Sequence, residues 1–186
     1  EHVFHMPLAT DPDLFNGDFS HAPDRALAFV GTSMIALVEE AREKLATVPG
    51  AMAAIEAGLD SGHINRQTFI KGIDALLPGD LLGGLGATER RNIELAINYE
   101  ATRRLRQELV ERMLPLGVEV RGDDQWLRIT DRIEGSLGYF DTLAPFYQST
   151  AVNLNTTSFQ MKSAVNQRVF DCPAAGGFLL TDAQDS

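Results

Sequence analysis

The chain has 186 residues, of which 44% are hydrophobic and 23% charged, which is ordinary for a globular protein with one sizeable core. Its 16 Lys and Arg against 26 Asp and Glu give a formal net charge of −10, which disfavours nucleic acid and anionic lipid as partners. No apolar run reaches the roughly 18 residues of a membrane span, and the single cysteine, Cys172, excludes an intrachain disulfide and favours a cytoplasmic location.

The N-terminal part of the chain predicts a linker followed by a buried strand. Residues 1–24 are rich in Pro, Asp and Gly, which indicates a linker. The apolar run ALAFVG (26–31) then ends in a glycine and predicts a buried strand. Thr32 or Ser33 is expected to cap the following helix, IALVEEAREKL.

The middle of the chain carries only helix signals. From about 47 to 114 these signals are separated by Gly and Pro, and the clearest helix is 88–114, where Leu95, Tyr99 and Leu105 share one stripe. We expect this stretch to be a helical insertion in a domain that spans 25–186.

The pattern changes after Pro115. GVEVRGD predicts a strand, residues 139–150 a short helix, AVNLN a strand, SFQMKSAVNQRVFDCPAA a helix, and GGFLLTD a last strand. Strands that alternate with helices predict an α/β fold, with a mainly parallel sheet covered by helices on both faces.

The candidate metal motifs are better explained without a metal. Asp11-Pro12-Asp13 has the D-x-D spelling, but it follows a loop and matches a helix start with Pro at the first position. HVFH, at residues 2–5, supplies two histidines without a third ligand nearby, and His21 and His63 are isolated. We therefore expect neither a metal nor another cofactor.

Two stretches are candidates for ligand binding. FVGTS places Gly31 and Thr32 where a buried strand turns into a helix, a place where backbone N–H groups can face an anion, although an ordinary turn fits as well. RVFDCPAAGGFLLTD places Arg168 and Asp171 three apart, where they can pair with each other or together bind a polar ligand. The residues alone leave these alternatives open.

The glycine pair of the same stretch also allows two interpretations. AAGG ends in Gly176 and Gly177, which expose backbone before the last predicted strand. The chain can therefore approach either a ligand or another element of the fold closely at this point.

The run YFDTLAPFYQSTAVNLNTTSFQMKSAVNQRVFDCPAAGGFLLTD resembles the CgeB-like, spore-maturation type of bacterial glycosyltransferase. More broadly, it resembles the C-terminal domain of two-domain GT-B enzymes, and MPLATDPDLF…FVG resembles their interdomain crossover. The resemblance covers about 1–33 and 115–182. It implies a Rossmann-like domain that binds a nucleotide-diphosphate sugar as donor substrate.

The resemblance also implies roles for individual residues. Arg168 fits diphosphate binding, as does the turn of Gly31 and Thr32, and Asp171 stands where relatives contact the ribose hydroxyls. Position 163, where many relatives carry a first glutamate, is a serine, so the two-glutamate pattern is incomplete. Further polar residues expected to line the site are Asn155, Asn166 and Gln167.

The resemblance further implies that the chain is truncated at both ends and lacks an N-terminal acceptor-binding domain. We expect such a donor half to be inactive alone, and an exposed former domain interface would favour self-association. Two other interpretations remain open: a non-catalytic binding or scaffolding module of the same half-fold, and an unrelated α/β protein.

Overall fold

The computed structural model describes residues 9–17, 22–161 and 164–183. These residues form two compact units. The first, here the sheet unit, comprises the described residues up to Thr32, with Val110–Thr156 and Val165–Ala183. The second, the helical unit, comprises Ser33–Leu109 and the described part of 157–164.

The sheet unit is built on five strands that are all parallel. The strands are β1 (Arg25–Val30), β2 (Glu119–Arg121), β3 (Ile133–Glu134), β4 (Thr150–Asn155) and β5 (Leu179–Thr181). Their order in the sheet is β3-β2-β1-β4-β5. This is the Rossmann-like α/β fold that the alternation of strand and helix signals predicts, so the predicted fold class is confirmed.

Alternation along β1 explains how this strand packs. Ala28 belongs to a buried cluster with residues of α6 (Leu143–Gln148) and α7 (Arg168–Ala174). Phe29, one residue later, points to the other face of the strand, where its ring meets Trp126 edge-on at a centroid distance of 5.7 Å. The buried part of β1, Ala28 and Phe29, is therefore covered on both sides by apolar side chains.

The order of the strands places a switch point between β1 and β4. From β1 the chain continues to β2 and β3 on one side, and it then returns to β4 on the other side of β1. Phe29 lies opposite Leu154 in the register, so β1 and β4 end next to each other. In parallel α/β sheets a ligand crevice forms at the carboxyl ends of the strands at such a point.

The helical unit contains four short or medium helices and most of a long one. They are α1 (Ile35–Lys44), α2 (Ala51–Asp60), α3 (Arg66–Phe69), α4 (Gly79–Leu82) and α5 (Ala87–Met113). Its core includes Ile55, Ile93 and Ile97, each 0% exposed. The residues of α1 that pack here, such as Ala41, show that the helical unit begins before residue 47.

Two polar side chains of α5 hold the segment that follows β4. The hydroxyl of Thr102 accepts from the backbone N–H of Phe159 at 3.0 Å, and Oδ1 of Asn98 accepts from the N–H of Gln160 at 3.0 Å. The Asn98 amide also donates to the Gln160 side chain at 3.1 Å. These residues form hydrogen bonds with α5 instead of an i→i+4 ladder, so the predicted helix begins only at Arg168.

The structure departs from the sequence predictions at β3 and at the N-cap of α1. The two-residue strand β3 was not predicted, because the sequence around Ile133 shows no alternating run. The residue before α1 is Met34, in a left-handed conformation with φ 68°, so neither Thr32 nor Ser33 is the N-cap. The hydroxyl of Ser33 still accepts from the N–H of Ile35 at 3.2 Å. His2, His5, His21 and Ser163 lie outside the described residues.

Candidate functional site

A cavity of about 180 Å³ opens in the sheet unit beside the carboxyl end of β1 and the start of α7. It is lined by Val30, Tyr139, Leu143, Tyr147, Asn166, Gln167, Arg168 and Asp171. Four of the residues predicted from sequence, numbers 166, 167, 168 and 171, are thus brought together here. One half of the lining is apolar and aromatic, and the other half is polar with one cation.

Arg168 is the cation of this cavity. It opens α7, and its Nη1 donates to Oδ1 of Asn155, the last residue of β4. A Cβ placed on Gly31 would lie 3.9 Å from its Nη2. The guanidinium therefore stands beside the carboxyl ends of both β1 and β4, where the sheet topology predicts a ligand crevice.

The buried amide of Asn155 organises the polar half of the site. Its Oδ1 accepts from Arg168 and, at 2.9 Å, from Nδ2 of Asn166, while its Nδ2 donates to the hydroxyl of Thr181 at 2.8 Å. Nδ2 of Asn166 also donates to the carbonyl of Thr156 at 3.3 Å. Because this nitrogen faces two acceptors, the orientation of the Asn166 amide is determined by its partners.

Two buried polar atoms near this amide have no hydrogen-bond partner among the residues that the structure describes: Oδ1 of Asn166 and Oγ1 of Thr156. Buried polar atoms are nearly always paired, so unpaired ones mark places where a further group can bind. An amide oxygen only accepts, and a hydroxyl both donates and accepts. A ligand hydroxyl meets both requirements. Sequence reasoning missed Thr156.

Asp171 is 2% exposed and already accepts three hydrogen bonds. Its Oδ1 accepts from the hydroxyl of Thr10 at 2.8 Å and from Nε2 of Gln167 at 2.9 Å, and its Oδ2 accepts from the hydroxyl of Tyr139 at 3.0 Å. It joins α7 to two segments that are distant in sequence. Arg168, three residues earlier, instead bonds to Asn155.

Two tyrosines form the aromatic wall of the cavity. Tyr139 is 39% exposed, and its ring meets Phe15 at 5.3 Å and Phe140 at 5.2 Å between centroids. Burial and the hydrogen bond to Asp171 raise the pKa of Tyr139. Burial raises the pKa of Tyr147 to about 12, against the smaller opposing effect of Arg168. Both phenols therefore stay protonated near neutral pH.

The predicted glycines divide into two groups. Gly31 stands beside Arg168, and Thr32, which follows it, is exposed. Gly176 and Gly177 do not line the cavity. A Cβ on Gly177 would lie 2.8 Å from Sγ of Cys172, and Gly176 has φ +87° at the end of α7. The AAGG stretch thus approaches other parts of the fold closely.

The other residues that sequence reasoning missed are Tyr139, Tyr147, Val30 and Leu143. Tyr139 was assigned to a helix, although it lies four residues before α6 begins. Only Val30 carried a usable signal, because it immediately precedes the Gly31 turn. Tertiary folding brings the two tyrosines to the cavity from positions distant in sequence from Val30, and no local sequence pattern reveals such a contact.

A larger cavity of about 480 Å³ lies in the helical unit, where Leu76, Leu77 and Pro78 form part of the wall. His63 is the only titratable residue of its lining. No lysine or arginine of the described residues lines this larger cavity. The smaller cavity of the sheet unit, in contrast, combines a guanidinium with unpaired polar atoms. The chemistry therefore favours the smaller cavity.

The model of the family described as "Glycosyl transferase-like" matches residues 94–186. The matched half of the chain contains β2 to β5, α7 and every cavity residue except Val30. The chain belongs to this glycosyltransferase-like family. Its five-stranded parallel sheet agrees with the C-terminal domain of GT-B enzymes. Comparison with curated proteins and with solved structures gave no match.

Three further observations concern metal ligands, membrane-spanning helices and the thiol of Cys172. Within 9–17, 22–161 and 164–183, no three His, Cys, Asp or Glu residues group as metal ligands. No helix of that same part of the chain is long and apolar enough to cross a membrane. Burial raises the pKa of Cys172 to about 12, so its thiol stays protonated and is a poor nucleophile.

Proposed function

We propose that the sheet unit is the donor-binding domain of a CgeB-like bacterial glycosyltransferase and that it binds a nucleotide-diphosphate sugar. The observation that supports this most is the position of Arg168, held by Asn155 at the end of β4 and beside Gly31 at the end of β1. A guanidinium is well suited to a diphosphate because it offers several N–H donors and a permanent charge.

In this proposal the diphosphate lies between Arg168 and the backbone of Gly31 and Thr32. Among the described residues, Asn155 and Tyr147 are hydrogen-bond partners of the Arg168 side chain. A guanidinium carries five N–H groups, so others remain for phosphate oxygens. Gly31 allows the close approach of the ligand because it carries no Cβ. The N–H of Gly31 already donates to the carbonyl of Arg121 at 2.9 Å, so the donors to the diphosphate in this proposal come from Arg168.

The hydroxyl groups of the donor would meet the remaining polar atoms. Oδ1 of Asn166 and Oγ1 of Thr156 can each bind a hydroxyl of the ligand. Asp171 lines the cavity and accepts from three protein groups, and it would accept from a donor hydroxyl in place of one of them. Gln167 already donates to Asp171, so its carbonyl oxygen is the part that would face a ligand.

The proposed reaction is the transfer of a sugar to a hydroxyl of an acceptor. The acceptor oxygen attacks the anomeric carbon and loses its proton to a base, and the bond from that carbon to the diphosphate breaks. The nucleotide diphosphate leaves with the bonding electron pair. Arg168 would stabilise the charge that develops on it, so the step does not require a metal.

Several wider features remain proposals as well. The donor unit would act with an acceptor-binding domain of the GT-B type, to which residues 1–24 would lead, and it would be inactive without that domain. The helices from about 47 to 114 would be an insertion in the donor domain. The natural setting would be the bacterial cytoplasm, where nucleotide sugars are made.

The proposal is tested by titrating UDP, GDP, CDP and dTDP into the 186-residue chain by calorimetry. We expect one nucleotide to bind and Arg168→Ala to weaken that binding about tenfold or more, since charge-assisted bonds are lost. Arg132→Ala is the control, because the side chain of this exposed arginine has one hydrogen bond among the described residues, to the carbonyl of Leu114. Equal affinity of both variants, or no binding by folded protein, would contradict the proposal.

A further inference from the structure

Tyr139 is the donor to Asp171 that a ligand can most easily replace. Of the three side chains that donate to this carboxylate, Thr10 does not line the cavity, and Gln167 also donates to the carbonyl of Ala9. Tyr139 lines the cavity, is 39% exposed and lies outside the helices and strands. Its hydroxyl makes the bond to Oδ2 of Asp171 at 3.0 Å.

We propose that the Tyr139 hydroxyl competes with a hydroxyl of the ligand for Oδ2 of Asp171, and that Tyr139 thereby limits the affinity of the site. The ligand group must be a hydrogen-bond donor, because an ionised carboxylate only accepts. A sugar or ribose hydroxyl satisfies this requirement, whereas a phosphate does not. This inference rests on the proposed function and specifies how the donor gains access to the carboxylate.

Replacing the Tyr139 hydroxyl by a ligand hydroxyl costs little free energy beyond the loss of the hydrogen bond between Tyr139 and Asp171. When the Tyr139 hydroxyl leaves Asp171, it can bond to water, because the residue is already partly exposed. Its pKa is raised, so the phenol that leaves is neutral and no charge is moved into solvent. The ligand hydroxyl then takes up the same oxygen. The net gain from this contact is small as long as the tyrosine hydroxyl is present.

Removing the hydroxyl alone should therefore strengthen binding. Tyr139→Phe keeps the ring, with its contacts to Phe15 and Phe140, and leaves Oδ2 of Asp171 without that donor. A ligand hydroxyl would then displace only water from this oxygen and no longer a hydroxyl held in place by the protein. We expect the Kd of the bound nucleotide to fall about tenfold, the worth of one hydrogen bond to a charged group.

The experiment is a calorimetric titration of UDP, GDP, CDP, dTDP and inorganic pyrophosphate into the wild-type chain and Tyr139→Phe. Pyrophosphate has no hydroxyl of a sugar, so its Kd should not change between the two proteins. Phe140→Leu is the matched control, since this neighbouring ring is 79% exposed and donates nothing to Asp171. Tyr139→Leu, which removes ring and hydroxyl together, is a second variant in case the first misfolds.

The outcomes separate this inference from the proposed function. A lower Kd for a nucleotide in the tyrosine variants, with pyrophosphate unchanged, supports the competition. Nucleotide binding that is unchanged or weaker in folded Tyr139→Phe overturns the competition but leaves the proposed function standing. If neither wild type nor any variant binds a nucleotide or pyrophosphate, the inference falls together with the proposed function.

Discussion

Arg168 bonds to Asn155, which lies 13 residues earlier at the end of β4, and not to Asp171, three residues later on its own helix. This pairing links the start of α7 to the sheet. Because the partner is a neutral amide, the guanidinium keeps its full charge. A carboxylate partner would have neutralised that charge, so the choice of partner preserves the ability of Arg168 to bind an anion.

The first prediction concerns the charge of this pair. Asn155→Asp keeps an acceptor for Arg168 and Asn166 but adds a negative charge, whereas Asn155→Leu removes the acceptor. Both should weaken binding of the nucleotide diphosphate about tenfold, but only the leucine variant should lose much stability, about 2 kcal/mol, because it leaves buried donors unpaired.

Calorimetry and urea unfolding measure the two effects. Nucleotide binding by Asn155→Asp that equals or exceeds that of the wild type would show that the charge of Arg168 is not used for the diphosphate.

The second prediction concerns the hydrogen bonds between α5 and the segment after β4. Thr102 is 0% exposed, and its hydroxyl accepts from the N–H of Phe159. Thr102→Val keeps the shape but leaves that N–H unpaired, which should lower the free energy of unfolding by about 1–3 kcal/mol.

Thr102→Ser is the control, since it retains the hydroxyl and loses one methyl group, at about 0.8 kcal/mol. Urea unfolding compares the two. A valine variant that is as stable as the serine variant would mean that this hydrogen bond contributes little.

The third prediction concerns the close approach of Gly17 to the end of α7. A Cβ on Gly17 would lie 2.4 Å from both the carbonyl carbon and the oxygen of Ala175. Gly17→Ala should therefore force the backbone apart and cost about 1–3 kcal/mol, as overpacking does.

Gly135→Ala is the matched control, because its Cβ would meet nothing within 4 Å, and its effect should stay within about 0.5 kcal/mol. Thermal unfolding of both variants decides the matter. Similar melting temperatures would show that the 9–17 segment does not pack against α7 in this way.

The fourth prediction concerns pH. Burial of Glu100 on α5 raises the pKa of its carboxyl, but hydrogen bonds from Arg103 and Arg104 outweigh this and hold the pKa below the model-compound value of 4.5. A lowered pKa in the folded state stabilises the protein above the unfolded pKa, and this stabilisation is lost as the pH falls through the folded pKa.

Glu100→Gln should therefore lower stability near pH 7 and flatten the loss of stability below about pH 4.5. Glu94→Gln, at an exposed position of the same helix, is the control. Urea unfolding from pH 7 to pH 3 measures the slopes. A Glu100→Gln slope equal to that of the wild type would contradict the assignment.

Much of the fold was predictable because its strands carry strong local patterns. ALAFV and AVNLN are short apolar or alternating runs beside Gly and polar turns, and both became central strands, β1 and β4. The residues after β4 were predicted as helix from local propensity. Instead, the side chains of Asn98 and Thr102 accept hydrogen bonds from the backbone of this segment. Because these partners lie about 60 residues earlier in the chain, the local sequence gives no sign of them.

The site was predictable only in part, for the same reason. Arg168 and Gly31 were chosen from two separate motifs, and the fold brings them together at the switch point. Two of the donors to Asp171, Thr10 and Tyr139, lie 161 and 32 residues away in the sequence. Sequence reasoning therefore found the acid and Gln167 but not these two partners. Thr156 follows a strand as many loop threonines do, and only its unpaired hydroxyl distinguishes it.

The most direct test of the central claim is to map where a nucleotide diphosphate binds. Amide chemical shifts of the 20.3 kDa chain can be followed by NMR while UDP, GDP, CDP or dTDP is added. The account predicts the largest shifts at Gly31, Thr32, Thr156 and Arg168. Shifts centred instead on the cavity of the helical unit, around Leu76 and Leu77, or no shifts at millimolar nucleotide, would contradict it.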